Sequence, residues 1–328
     1  VVVVDRPKRW CRVLRFPSII PDNLQGGTCT IGNFDGLHLG HKTLFKRMRD
    51  SSSGGPKVVV SFYPHPASVI SNAGTVPLLT ALREKVALLS HEGIDLLYLV
   101  HFTRDLAQLS AHQFIDQVLL AKLHINHLVV GEDAAVGKAR EGDINFLTEE
   151  LPKKGVQLTV IPHLKVEGIR PSSRRIRSLL GDGKISEANE LLGRFYTVVG
   201  RVIHGAGRGK KIGIPTANLA LPMRMIPSHG VYAAILSVEG AFYPAVTNVG
   251  TRPTFNGVGV SVETHVMNLD GTPADLELYG KRVVLRFLSK VRDERKFSGA
   301  PELVQQIRND SAEALAVATP LLPKGKNG

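Results

Sequence analysis

The sequence predicts two domains of different class: an α/β N-terminal domain built on a doubly wound parallel sheet, and a C-terminal β-barrel domain. Three observations carry this. The chain has 328 residues, more than one hydrophobic core usually serves. Its first half alternates short apolar runs with helical periodicity, the pattern of a parallel sheet covered on both faces. After Arg194 the helical pattern gives way to short strands separated by Gly/Pro turn signals, as in a closed or nearly closed barrel. The change of texture puts the boundary near residue 186, giving domains 1–186 and 187–318 and a disordered tail over 319–328.

The elements follow in order. Thr28–Ile31, Lys57–Phe62, Leu96–Val100, Leu128–Val130 and Gln157–Ile161 read as buried strands. Leu37–Asp50, Ala81–Glu92 and Ser110–Leu123 carry apolar residues at helical spacing, with Ser110 as an N-cap. Ile176–Leu192 is helical but split by Gly181-Asp182-Gly183. Tyr196–Ile203, Tyr232–Val238, Tyr243–Val249, Val260–Val266 and Arg282–Phe287 read as barrel strands, and Pro301–Val317 as a closing helix.

Hydrophobic residues make up 43% of the chain, enough for a core in each half, and no apolar run approaches the roughly 18 residues of a membrane span. The four valines at the start run into Asp5, Arg6 and Lys8, too short for a signal-peptide core. The missing initiator Met suggests a trimmed start. Cys11 and Cys29 form no C-x-x-C pair and no disulfide framework, which favours a reducing, cytoplasmic compartment, with an organelle-targeted precursor as the alternative. No Cys/His cluster has zinc-ligand spacing. The net charge of +12 suits nucleic-acid binding, capture of polyphosphate substrates, or a solvated basic surface.

Gly32-Asn33-Phe34-Asp35-Gly36-Leu37-His38-Leu39-Gly40-His41 follows a strand and opens a helix. His38 and His41 are three apart, so they share a face near the helix N-terminus, where amides and the macrodipole attract anions. Gly40 between them allows a phosphate close to the backbone. Two imidazoles there can donate to a phosphate crossing its transition state. The plain alternative is a surface helix with two unrelated histidines; the G-N-F-D-G on a strand end favours the phosphate site. In the second half, Gly205-Ala206-Gly207-Arg208-Gly209-Lys210-Lys211-Ile212-Gly213-Ile214-Pro215-Thr216-Ala217-Asn218 sets four glycines and three cations in one loop, which can wrap a polyphosphate. Thr216 and Asn218 offer neutral oxygens for a magnesium ion carried by a nucleotide. On the strand Val262-Glu263-Thr264-His265, Glu263 and His265 share the face opposite Val262 and Thr264. A carboxylate there can take a proton as a hydroxyl attacks a phosphate.

The first motif resembles the nucleotidyltransferase signature in the form found in prokaryotic-type bifunctional riboflavin kinase/FAD synthetases. Further segments resemble that family in order: Ser61-Phe62-Tyr63-Pro64-His65-Pro66; Leu78-Leu79-Thr80 with Lys85; Ser172-Ser173-Arg174-Arg175-Ile176-Arg177; the P-T-A-N ending of the second loop; Asn248-Val249-Gly250-Thr251-Arg252-Pro253-Thr254-Phe255; Glu263, followed by Tyr279-Gly280-Lys281; and Arg292-Asp293-Glu294-Arg295-Lys296-Phe297. The resemblance runs from about Thr28 to Asp310. It implies ATP-dependent phosphorylation of riboflavin to FMN in the second half and adenylation of FMN to FAD, with pyrophosphate release, in the first.

By the same resemblance, His38 and His41 contact the ATP α-phosphate, with Gly32, Asn33, Phe34, Asp35, Gly36 and Gly40 forming the surrounding loop. Ser172, Ser173 and Arg177 hold the outer phosphates. Gly207, Arg208, Gly209, Lys210, Lys211 and Pro215 wrap the second ATP, whose magnesium meets Thr216 and Asn218. Glu263 is the general base of the kinase. Asp133, Asn248, Gly250, Thr251, Arg252, Pro253, Thr254, Phe255 and Arg292 border the flavins.

Two departures stand out. Arg174 replaces the family's threonine, bringing a cation where a hydroxyl stood. In Gly131-Glu132-Asp133-Ala134-Ala135-Val136-Gly137, Ala134 and Val136 stand where the family usually has phenylalanines that help form the flavin pocket, and Glu132 adds a charge. A flavin ring packs best on flat apolar partners, so this segment motivates an alternative: a riboflavin kinase with a weakened or inactive adenylyltransferase domain. A non-catalytic flavin-binding regulator is the remote alternative, and intact Thr216, Asn218 and Glu263 argue against it. The basic residues fall in or beside the phosphate loops and aromatics are only 6%, so small nucleotide substrates are expected, with neither nucleic acid nor membrane as partner.

Overall fold

A computed structural model describes residues 7, 9–51, 54–70, 74–205, 209, 213–221, 224–254 and 257–323, with backbone alone at 252–254 and 257–258. Two compact units emerge, dividing between Ser173 and Arg174.

The first unit is a six-stranded, all-parallel sheet in the order β1-β4-β3-β2-β5-β6, formed by Arg12–Arg15, Thr28–Ile31, Lys57–Tyr63, Leu96–His101, His127–Gly131 and Gln157–Ile161. Its central strands are continuous apolar runs because both faces are buried. Val58 and Val60 of β3 pack into one core with Leu96, Tyr98 and Val100 of β4, while Val59 and Leu97 pack into the other. Helices α1 (Leu39–Arg49) and α3 (Leu82–His91) cover the second face through Phe45, Met48 and Leu89. Between them, α2 (Pro66–Ile70) is a short turn of helix after β3. The first face is covered by α4 (Ala111–Phe114), a π-wound stretch Ile115–Leu120, α5 (Ala121–Leu123) and α6 (Ile144–Lys153). This is the doubly wound sheet expected from the alternation. Strand β1 was not expected: Arg-Val-Leu-Arg is too short and too charged to read as a strand, but it pairs in parallel with β4 at the sheet edge. The strand order reverses around β2, whose neighbours are β3 and β5, so the loop after β2 opens where α/β sheets bind ligands.

The second unit is a closed barrel in the order β10-β11-β8-β7-β12-β9. Its strands are β7 (Tyr196–Ile203), β8 (Ala217–Ala220), β9 (Gly230–Val238), β10 (Ala241–Thr254), β11 (Gly257–Val266) and β12 (Arg282–Arg292). Strand β8 was also missed, because the P-T-A-N motif that leads into it reads as a loop. Helices α7 (Ser173–Gly181) and α8 (Ile185–Leu192) precede the barrel. Asn189 of α8 donates to the Phe287 carbonyl at 3.0 Å and accepts from the Tyr196 amide at 2.6 Å. The division read from texture near residue 186 cuts through α8, whereas the compact unit includes both helices. Helix α9 (Ala300–Ala318) closes the structure, burying Ala314 and Ala318 against Val231, Ala233 and Leu288. Part of the expected tail is ordered: Thr319–Leu321 form a 3-10 turn, and Leu321 and Leu322 pack on the same core; 324–328 lie outside the described residues.

Candidate active sites

In the α/β unit the chain leaves β2 through a loop with Phe34 and Leu37 at positive φ (45° and 41°) and Gly36 at 84°. Asp35 fixes this shape. Its carboxylate, 1% exposed, accepts from the Leu79 and Thr80 amides, both at 3.0 Å. The Thr80 hydroxyl in turn accepts from the Gly36 amide at 2.9 Å. Phe34 is buried beneath the loop against Phe45 and edge-on to His41. Phe34 and Asp35, expected among the ATP contacts, therefore spend their side chains on the loop and leave only backbone for a nucleotide. The L-L-T segment is the partner of Asp35, a link that tertiary structure alone reveals.

Helix α1 starts after His38, its N-cap, and has no acidic residue in its first turn. The His38 and His41 rings stack with centroids 3.6 Å apart. Burial first, then His38, then Lys85 hold the His41 imidazole well below its ordinary range, so it is neutral at pH 7 and donates through one N–H. A side chain at Gly40 would press on the His38 ring. The Ser173 hydroxyl donates to the Asp35 carbonyl at 2.8 Å, bringing the serine pair to this loop. Arg177 follows four residues later on α7, half-buried, while Arg174 and Arg175 are exposed.

The segment that departs from the family has its own structure. Asp133 pairs with Arg170, and its carbonyl accepts from Arg140 at 2.5 Å. Glu132 accepts from the His163 amide at 3.0 Å. Val136 is buried beside Gly142 and Ala111, while Ala134 is half-buried over the same core. Gly137 is required: at φ 79° its added side chain would collide with the Ala111 backbone.

In the barrel, register assembles the site. Asn218 of β8 lies opposite Glu263 of β11; Glu263 lies opposite Asn248 of β10; Asn248 lies opposite Val231 of β9; and Val231 lies opposite Arg292 of β12. Directly paired residues share a face, so five strands present one row. Val262 and Thr264 alternate to the buried side, where the Thr264 and Thr247 hydroxyls meet at 3.1 Å. Glu263, Asn248 and Arg292 line a cavity of about 300 Å³ together with Thr216, His265 and Phe297.

Gly205 packs so tightly on the Asn218 amide that any side chain would collide with it. The Ile214 amide donates to the Gly209 carbonyl at 2.9 Å, closing the loop before the P-T-A-N segment. His265 hydrogen-bonds through Nδ1 to the Pro215 carbonyl at 2.8 Å; burial lowers its pKa, the carbonyl opposing. Arg292 holds the buried Asp310 of α9 in a fork of 2.8–3.0 Å contacts, and with Arg295 it lies over the Phe297 ring. Gly250 approaches Glu294 closely, and Thr251 is exposed. Gly207, Arg208, Lys210, Lys211 and Phe255 lie outside the described residues, as do the side chains of Arg252, Pro253 and Thr254. Sequence reading placed His265 beside Glu263 without giving it a role, and missed Asp310 and the aliphatic wall of Val231, Val246, Leu303 and Ile307. His265 was legible as the residue sharing Glu263's face; Asp310 carried no signal.

Among the described residues no cluster of three or more His, Cys, Asp or Glu could hold a metal ion, and no helix is long and apolar enough to cross a membrane.

Comparison with known proteins follows the same division. Residues 20–175 match the FAD synthetase family and residues 192–318 the riboflavin kinase family. The bifunctional riboflavin kinase/FMN adenylyltransferase of Pseudomonas fluorescens is 35% identical over 299 residues, covering 90% of this chain and 94% of that one. That of Bacillus subtilis (strain 168) is 34% identical over 304 residues, covering 90% and 94%. A solved structure described as a macrolide-efflux protein from Streptococcus pneumoniae matches with a TM-score of 0.84 at 27% identity, over 92% of this chain and 98% of that one. With both families matched in order and relatives aligned over nearly their whole length, the chain belongs to the bifunctional riboflavin kinase/FMN adenylyltransferases.

Proposed function

We propose that the barrel phosphorylates riboflavin to FMN and that the α/β unit adenylates FMN to FAD, each with ATP as donor. The observation that carries the first reaction is the Asn218–Glu263–Asn248 row on the cavity wall. Glu263 takes the proton of the ribityl 5′-hydroxyl as its oxygen attacks the γ-phosphorus and ADP leaves. The aliphatic wall and Phe297 offer the flat apolar surface a flavin ring needs. Thr216 and Asn218 would hold a magnesium ion brought in with the nucleotide: neutral oxygens suit an ion whose other ligands are phosphates. Such an ion supplies charge neutralisation on the phosphates.

In the α/β unit, an FMN phosphate oxygen attacks the α-phosphorus of ATP and pyrophosphate leaves. His38 and His41 donate to the α-phosphate at the N-terminus of α1. Ser172 and Ser173 hold the outer phosphates.

A second reading has its own support. Ala134 and Val136 leave no ring where the family presents phenylalanines, and beside them Glu132 and Asp133, with His163 and Arg170, make a charged cluster, which fits a kinase with weakened FAD synthesis. Product chromatography separates the two. With riboflavin, ATP and magnesium in one tube and FMN, ATP and magnesium in another, the first reading expects FMN in the first and FAD in both. FMN without FAD would leave only the kinase.

A further inference from the structure

Behind the loop that opens α1 lies a cation to which the chemistry above gives no part. From α3, Lys85 donates through Nζ to the Asn33 carbonyl at 2.7 Å and reaches the Ser61 hydroxyl at 3.5 Å. The Ser61 hydroxyl donates to the same carbonyl at 3.2 Å, so one backbone oxygen receives two donors. The lysine is 8% exposed. Taking an ammonium out of water is costly, and a methionine of similar volume would pack there without that cost.

The titratable groups facing this position are Asp35 of the loop, His41 of α1 and His38 stacked upon it. Asp35 offers limited compensation, since both its oxygens accept backbone amides. Burial pushes the ammonium down to about 8, with Asp35 pulling the other way. The histidine beside it stays neutral, so it supplies no charge to a polyphosphate. Among the described residues, the buried Nδ1 of His41 and Oδ1 of Asn33 at this loop have no hydrogen-bond partner.

We propose that Lys85 is a positioning residue of the adenylyltransferase site: its ammonium pins the Asn33 carbonyl, fixes the Gly32–Asp35 loop, and sets a positive charge behind the phosphate-binding backbone. It acts through the loop and touches no substrate. The inference rests on reading this unit as the adenylyltransferase. Because the charge is lost as pH rises through about 8, FAD formation falls in that range, well below the range in which an exposed lysine titrates.

The test uses the full chain as wild type, Lys85→Met and Lys85→Arg. FAD formation from FMN, ATP and magnesium is followed from pH 6.5 to 9.5, and riboflavin phosphorylation by the same molecules is followed in parallel. In wild type, kcat/KM for FAD formation is expected to drop about tenfold per pH unit above the titration. Lys85→Met should be about 10²-fold slower at pH 7, the order for losing one preorganised electrostatic group, and lack the alkaline limb. Lys85→Arg, whose guanidinium stays charged, should keep at pH 9 the rate it has at pH 7. Phosphorylation should be unchanged throughout. If Lys85→Arg loses the thermal transition of the α/β unit, the comparison of wild type with Lys85→Met decides. An alkaline limb that persists in Lys85→Met, or a wild-type rate in that variant, overturns the proposal alone. Wild type that forms no FAD overturns the adenylyltransferase reading, and the role of Lys85 with it.

Discussion

Replacing Glu263 with glutamine keeps the volume and the Asn218–Glu263–Asn248 row but removes the proton acceptor. Riboflavin phosphorylation by Glu263→Gln should fall by about 10²–10⁴-fold in kcat, with FAD formation from supplied FMN unchanged. His41→Ala should do the converse, abolishing FAD formation and sparing FMN formation; if both activities fell together, the two-site reading would be wrong. His41 also predicts a pH dependence of stability. Its folded pKa is depressed, so below the unfolded value of about 6.5 the unfolded chain binds a proton that the native state refuses. Stability is lost progressively as pH falls from there, and His127, also depressed by burial, acts in the same direction. Thermal scans should show the α/β transition dropping between pH 7 and pH 5, with a shallower drop in His41→Gln.

At the level of elements, the loops work because glycine admits contacts that no side chain would. Gly205→Ala would displace the Asn218 amide from its place opposite Glu263. A loss of phosphorylation with little change in barrel stability is expected, measured by kcat/KM beside thermal unfolding. The altered segment after β5 obeys a different constraint. Val136 is a core residue here, enclosed by Ala111 and Gly142, so the family's phenylalanine would overpack it. Val136→Phe should cost about 1–3 kcal/mol in the α/β unit, by chemical denaturation, without improving FAD synthesis. Ala134, half-buried at the edge of the same core, is the better position at which to restore a ring.

Across the whole molecule, each unit buries its own core, and α7 and α8 belong with the barrel although their sequence reads as a continuation of the α/β half. A fragment beginning at Arg174 should fold and phosphorylate riboflavin. One beginning at Glu187 discards Ile176, Leu179, Leu180 and Ile185, all buried, and should melt several degrees lower. Circular dichroism of the two fragments checks this. Part of the basic balance of +12 falls at the loop proposed to bind phosphate, where Lys85 backs the Asn33 carbonyl.

The sequence by itself determined the two fold classes, the position of nearly every strand, and both motif-bearing loops. Those features are local: periodicity, glycine spacing and the order of motifs survive without a partner. Recognition of the family likewise needed only contiguous residues. Tertiary structure alone decided what the motif residues do for one another. Asp35 and Thr80 form a clamp across 45 positions, Asn218, Glu263 and Asn248 become one row through strand register, and Arg292 finds Asp310 on the closing helix. Burial was equally invisible, because Lys85 on a helix reads as a solvated charge until the sheet and loop that enclose it are in place. A charge, a register or a buried hydrogen bond is a property of pairs distant in the chain, and only the folded molecule brings those pairs together.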